Sequence, residues 1–361
     1  MDSGDIEGAI TAFERSRARN GNDARVLNDL GTAYAMLDET DRARTVFEKA
    51  EGLQPTPETA YNLGRLSFQE GKTSEAMLNY QIALQRDEAF LTAAVNLAAL
   101  QAGGNDPVSA ISTLQGIRSH HPDNGAIIVS LANAHFQAGD LDQAGRVYND
   151  AKSLDAVRTD AEMGLGNVAL TQGDTSQAAQ HYRKAIEADP NNPDPRVNLG
   201  TVLIQQGAYD DAVTEFQAAL ELNPSDLALY LNLAVLYYHT EQYPAALEYC
   251  SAIIDQDATM IEAQRLIGDI AMATSQLDLA VQAYSTVLEM HNEDLSSLLG
   301  LAEALNSLDR TEEAREHWKH WLDIVGDDPA YELQAQSVTR KLNPEAEPWL
   351  YRQLKQLSSA L

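Results

Sequence analysis

Short apolar stripes and polar turns alternate along the chain at a fixed period. The stretch PDPRVNLGTVLIQQGAYDDAVTEFQAALELNPSD, Pro193 to Asp226, shows the unit most clearly. Its first half places Leu199, Gly200 and Leu203 on one face of a helix. Gly207 predicts the end of that helix, because glycine adopts a left-handed conformation without steric cost. From Tyr209 a second stripe runs through Ala212, Val213, Phe216, Ala219 and Leu220, again on one helical face. Asn223-Pro224 predicts its stop, since proline lacks a donor and biases the preceding residue away from helical angles. Neither helix can bury its stripe alone, so the unit requires neighbours.

The neighbours are present. The alanine that opens the second stripe returns at Ala9, Ala43, Ala76, Ala110, Ala144, Ala178, Ala212, Ala246, Ala280 and Ala314. The step is 34 residues throughout, except 33 between Ala43 and Ala76. A bulky residue follows each alanine by four: Phe13, Phe47, Tyr80, Leu114, Tyr148, Tyr182, Phe216, Cys250, Tyr284 and Trp318. A small residue precedes each alanine by twelve from the second copy on, as at Gly31, Gly64, Ala98, Gly200 and Ala302. Prolines close the unit at Pro55, Pro122, Pro190 and Pro224. Small residues on facing helices permit close approach, and the large one fills the gap between them.

This pattern resembles the tetratricopeptide repeat (TPR). The resemblance covers about residues 5–326 and implies an all-α, right-handed α-solenoid with a C-terminal helical cap. The expected organisation is a partial repeat over 1–23, with only its second helix, nine repeats over 24–326, and capping helices over 327–361. Residues 329–342 and 346–360 read as two helices off the repeat register. Trp318, Trp321 and Trp349 read as part of that cap, the alternative being a docking surface of exposed indoles. At the other end Ile6, Ile10 and Phe13 are expected to lack a partner helix, which points to an N-terminal truncation or an open packing site.

Charge narrows the partners. The 361 residues carry a formal net charge of -29, with 25 basic against 54 acidic side chains. This argues against nucleic acid and against adsorption to anionic membrane. A well-solvated acidic surface without specific meaning is the simplest reading, and a neutral or basic peptide or protein ligand is favoured over an acidic one. The sequence contains no apolar run long enough to span a bilayer and no signal-peptide pattern, so a soluble chain is expected, with the cytoplasm favoured over the periplasm. The regular repeats and low lysine content point to a bacterial source.

No catalytic constellation, cofactor fingerprint or metal set emerges, so a non-enzyme without cofactors is expected. Gly164-Leu165-Gly166 sits at a close-packing position of a helix rather than after a strand. Glu313, Glu316, His317 and His320 have a helical spacing that reads as a polar face before it reads as a metal site. Cys250 takes the place of a core aromatic and reads as a buried inert thiol.

The informative surface is the far side of each first helix. With the recurring alanine as position 20, positions 2, 6, 9 and 13 point away from the buried positions 4, 7, 8 and 11. Position 6 carries Asn62, Asn96, Asn198 and Asn232, and position 9 adds Arg65, Asn133, Asn167 and Thr201. Asp194 and Gln205 complete the face of the Pro193 unit. The TPR resemblance implies that these helices line a concave groove. Similar asparagine ladders hold extended peptides in superhelical TPR proteins such as the O-GlcNAc transferase repeats. An amide suits a peptide backbone, having two donors and an acceptor. The competing reading is that these asparagines only support the local backbone. The lysine and arginine set of TPR co-chaperones that grip acidic C-termini is absent. The expected function is therefore a protein-interaction scaffold holding an extended peptide or partner helix. The alternatives are an oligomer built through the array ends and a regulatory arm of a larger enzyme.

Overall fold

The computed structural model describes residues 3–19 and 23–343, with side chains from Ile6 onward. Every regular element among the described residues is helical. The chain divides into two units, 1–190 and 191–361.

In the first unit, α1 (Ser3–Arg19) precedes five helix pairs. These are α2 (Ala24–Met36) with α3 (Thr40–Leu53), α4 (Pro57–Gln69) with α5 (Thr73–Arg86), and α6 (Leu91–Gly103) with α7 (Pro107–His120). Next come α8 (Gly125–Gln137) with α9 (Leu141–Ala151), and α10 (Arg158–Thr171) with α11 (Thr175–Ala188). The second unit holds α12 (Asp194–Gln205) with α13 (Tyr209–Leu222), α14 (Leu227–His239) with α15 (Tyr243–Gln256), and α16 (Ile261–Ala273) with α17 (Leu277–Met290). It ends on α18 (Leu295–Ser307) with α19 (Thr311–Val325), then α20 (Glu332–Leu342). Within each unit a helix packs on its sequence neighbours, and first helices of successive pairs also touch, as α8 does α10 and α14 does α16. This is an all-α solenoid.

The local rules are uniform. The nine alanines from Ala43 to Ala314 have no exposed surface, so the two helices of a pair meet over them. Between the helices of every pair one residue takes positive φ: Gly71, Gly139, Gly173 and Gly207, but also Asp38, Asn105, Glu241, Ser275 and Asp309. Aspartates cap many helix starts. Asp23, Asp106, Asp140, Asp174, Asp226 and Asp294 each accept from a backbone N–H of the first turn. Part of the acidic balance is therefore structural. Cys250 is fully buried beside Ala234 and Ile270, and burial pushes its thiol up to about 12.

One expectation about the N-terminal end is corrected, and at the other end the alternative reading of the tryptophans falls away. The stripe on α1 is not open: Ile6 is buried, and Ile10 and Phe13 are half-buried against Leu27, Leu30 and their neighbours. A second helix packs on the first helix that follows it as well as on its own partner, so α2 covers α1. Glu14 reinforces this contact by accepting from Tyr34 Oη at 2.5 Å. The indoles of Trp318 and Trp321 form no docking surface either. They are 2% and 1% exposed, in a core closed by Ala335, Val338 and Leu342 of α20. Trp349 and the helix expected over 346–360 lie outside the described residues. Among the described residues no helix is long and apolar enough to cross a membrane.

Candidate functional site

The outward faces of the first helices divide into two kinds of surface. In the first unit the asparagines are tied to the protein itself. Asn62 Nδ2 donates to Asn28 Oδ1 at 3.0 Å and lies 3.5 Å from Thr32 Oγ1, both one repeat back. Asn96 Nδ2 donates to Tyr61 Oη at 3.4 Å. Asn133 and Asn167 accept from the buried tyrosines of their own second helices: Tyr148 donates to Asn133, and Tyr182 to Asn167 at 2.6 Å. Both phenols are donors at neutral pH in any case, and burial pushes them further up, to about 12. Arg65 is exposed, its guanidinium 6.0 Å from the centre of the Tyr61 ring.

Position 6 is not a groove wall everywhere. At Gly164 and Gly300 the tyrosine of the preceding repeat occupies the space: a Cβ on Gly164 would lie 2.3 Å from the Tyr148 ring, and one on Gly300 2.5 Å from that of Tyr284. Tyr284 Oη donates to Asp269 Oδ1 at 2.6 Å, so an aspartate here does the work of Asn133 and Asn167. Burial raises the Asp269 carboxyl above its ordinary range, against the opposing effects of that hydrogen bond and of Arg265.

The second unit is different around α12 and α14. Asn198 is half-buried and Asn232 exposed, and neither amide has a hydrogen-bond partner among the described residues. Asp194, Thr201 and Gln205 are exposed along the same face. Thr201 Oγ1 donates to Val197 O at 3.0 Å, which leaves its lone pairs open. A cavity of 560 Å³ opens between the helices. Phe216 and Leu236 floor it, Ile204, Tyr209, Leu231 and Val235 wall it, and Thr201, Asn232 and His239 stand among them. None of its lining residues is Asp, Glu, Lys or Arg.

The structure thus gathers Thr201 and Asn232 around one cavity and places Asn198 one turn before Thr201. It leaves Asn62, Asn96, Asn133 and Asn167 engaged with protein groups in the other unit. Sequence reasoning passed over Ile204, Tyr209 and His239. A signal existed: all three fall outside the buried stripe, and Tyr209 is a large aromatic at the exposed start of a helix, 44% exposed. Among the described residues no three His, Cys, Asp or Glu side chains converge as a metal site would require. His317 is half-buried, and desolvation lowers its pKa.

Comparison with known proteins gives the family. A tetratricopeptide repeat profile matches residues 1–58, 129–193 and 197–261, and a second matches 169–219 and 271–337. The peroxisomal targeting signal receptor of Candida albicans is 30% identical over 86 residues, 24% of this chain and 14% of the receptor. That of Debaryomyces hansenii is 29% identical over 86 residues, with the same coverage of 24% and 14%. The chain therefore spans only a small part of the length of these curated relatives. Among solved structures, MamA 41-end from Desulfovibrio magneticus RS-1 aligns with a TM-score of 0.45 and 20% identity, covering 47% of this chain and 97% of its own. YrrB, described as a TPR protein with an unusual peptide-binding site, aligns at 0.44 and 22%, covering 51% and 95%. With profile matches over more than half of its length, the chain belongs to the tetratricopeptide repeat family.

Proposed function

We propose that this protein is a non-catalytic interaction scaffold that holds an extended, neutral or basic peptide against α12 and α14. The observation that carries this is a pair of amides without hydrogen-bond partners among the described residues: Asn232 in the lining of an apolar-floored cavity, and Asn198 one turn before Thr201 of the same lining. The amides suit a peptide backbone, and the 560 Å³ cavity suits one bulky apolar side chain. Asp194 at the head of α12 and the net charge of -29 favour positive flanking residues. The peroxisomal receptors that share a stretch of sequence are, by their name, receptors of a targeting signal, which supports a peptide ligand.

The test begins with peptides selected from a random display library on the immobilised full chain. Replacing both Asn198 and Asn232 with alanine removes two to four neutral hydrogen bonds, so affinity is expected to fall by roughly ten-fold or more. Helicity by circular dichroism should not change, because neither side chain bonds to the protein. Unchanged affinity would sink the assignment of these amides.

A further inference from the structure

The second helices carry grooves of their own, and one is chemically unlike the rest. The groove against α7 on its α5 side encloses 310 Å³, with Glu88 and His120 as its titratable lining groups. That between α15 and α17 encloses 250 Å³, with Asp255 as its one charged residue. The groove between α7 and α9 encloses 890 Å³; its charged lining groups are two arginines, Arg118 and Arg146, and one carboxylate, Asp150, with the buried His135 among them. The second helix at this groove, α9, has 11 residues where α5, α7 and α11 have 14.

The polar groups there are only partly satisfied. Arg118 Nη2 pairs with Asp150 Oδ2 at 3.1 Å. Arg146 is exposed and has no ion pair or hydrogen bond among the described residues. His135 is 9% exposed, and its buried Nδ1 has no hydrogen-bond partner, lying 3.7 Å from Asp140 Oδ2. A buried ring nitrogen whose nearest carboxylate stands beyond hydrogen-bond reach is only partly satisfied. Leu131, Val147 and Pro122 supply an apolar floor beside these groups.

We propose that this groove binds a small organic carboxylate with an apolar body. The unpaired Arg146 fork receives the carboxylate, which matches its planar geometry, and Leu131 and Val147 receive the apolar part. His135 stands in the lining beside it and senses its charge. The volume lies within the range of small-molecule sites. A small ligand is favoured over an acidic protein because the chain's net charge of -29 repels a polyanion at long range but costs a monoanion little. The site is independent of the face of α12 and α14.

The test is an NMR titration of the full chain with sodium benzoate, and separately with inorganic phosphate, read on the His135 imidazole signal. Benzoate is expected to move that signal saturably. Arg146→Gln should weaken this binding by about ten-fold or more, with helicity retained because the side chain is exposed. The proposal is overturned if benzoate produces no saturable shift, or if Arg146→Gln binds it as well as the parent protein. Phosphate binding as tightly as benzoate would overturn the assignment to a carboxylate with an apolar body.

Discussion

Replacing Trp318 with alanine should cost about 3–5 kcal/mol, the range for deleting a large buried aromatic. The indole is 2% exposed and sits among Tyr284, Leu298, Leu301, Ala302, Trp321 and Val338. Truncation would open a void inside this cluster. Because stability in a repeat array is local, the loss should appear as early unfolding of α18–α20. Urea unfolding by circular dichroism should then show a separate first transition. Trp318→Phe is the informative control. Nε1 of Trp318 is buried without a hydrogen-bond partner, as is that of Trp321. Phenylalanine keeps most of the ring and removes that orphan donor, so its cost should stay within about 1.5 kcal/mol. Equal losses in both variants would mean that ring volume is not what holds this end of the array.

Gly164→Ala should destabilise the protein by about 1–2 kcal/mol, although helix propensity alone predicts the opposite sign. Alanine is favoured over glycine inside a helix by roughly 0.5–1 kcal/mol. The Cβ would, however, lie 2.3 Å from the Tyr148 ring. That ring is buried and held by its hydrogen bond to Asn133, so it cannot step aside without loss. Overpacking of this kind costs about 1–3 kcal/mol, which outweighs the propensity gain. Gly116 in α7 supplies the contrast, because a Cβ there would meet nothing within 4 Å. Gly116→Ala should therefore stabilise by about 0.5–1 kcal/mol. Thermal unfolding of the two variants checks both signs. Stabilisation by Gly164→Ala would show that Tyr148 does not fill this space.

These contrasts mark what the sequence could say. The helices and their pairing were legible because one alanine and one bulky residue recur in register, and only stacked helices bury such stripes together. The turn at Gly207 was legible from glycine alone. The equivalent positive-φ positions at Asp38, Glu241, Ser275 and Asp309 carried no such mark. There the surrounding helices impose the conformation and the residue bears the strain.

The candidate site was legible only in part. Four asparagines at one position look equivalent as letters, yet what stands opposite each one differs. Asn62 bonds to Asn28 and Asn96 to Tyr61, whereas Asn198 and Asn232 have no hydrogen-bond partner among the described residues. Asn133 and Asn167 were read as groove residues of the same kind, and the partner of each is a tyrosine fifteen residues on, across the helix pair. Separation along the chain also hid the groove of α7 and α9. Arg118, His135 and Arg146 belong to three helices, and no spacing rule brings them to one place. The ends misled for a related reason. Ile10 and Phe13 were matched to a helix before them, and the structure covers them with the helix after.

The central claim is that a peptide lies along α12 and α14. Hydrogen–deuterium exchange of the full chain, with and without a peptide selected on it, tests this most directly. Slowed exchange is expected in α12 and α14, with α15 and α17 unchanged. Protection confined to α15 and α17, with α12 and α14 exchanging as in the free protein, would contradict it.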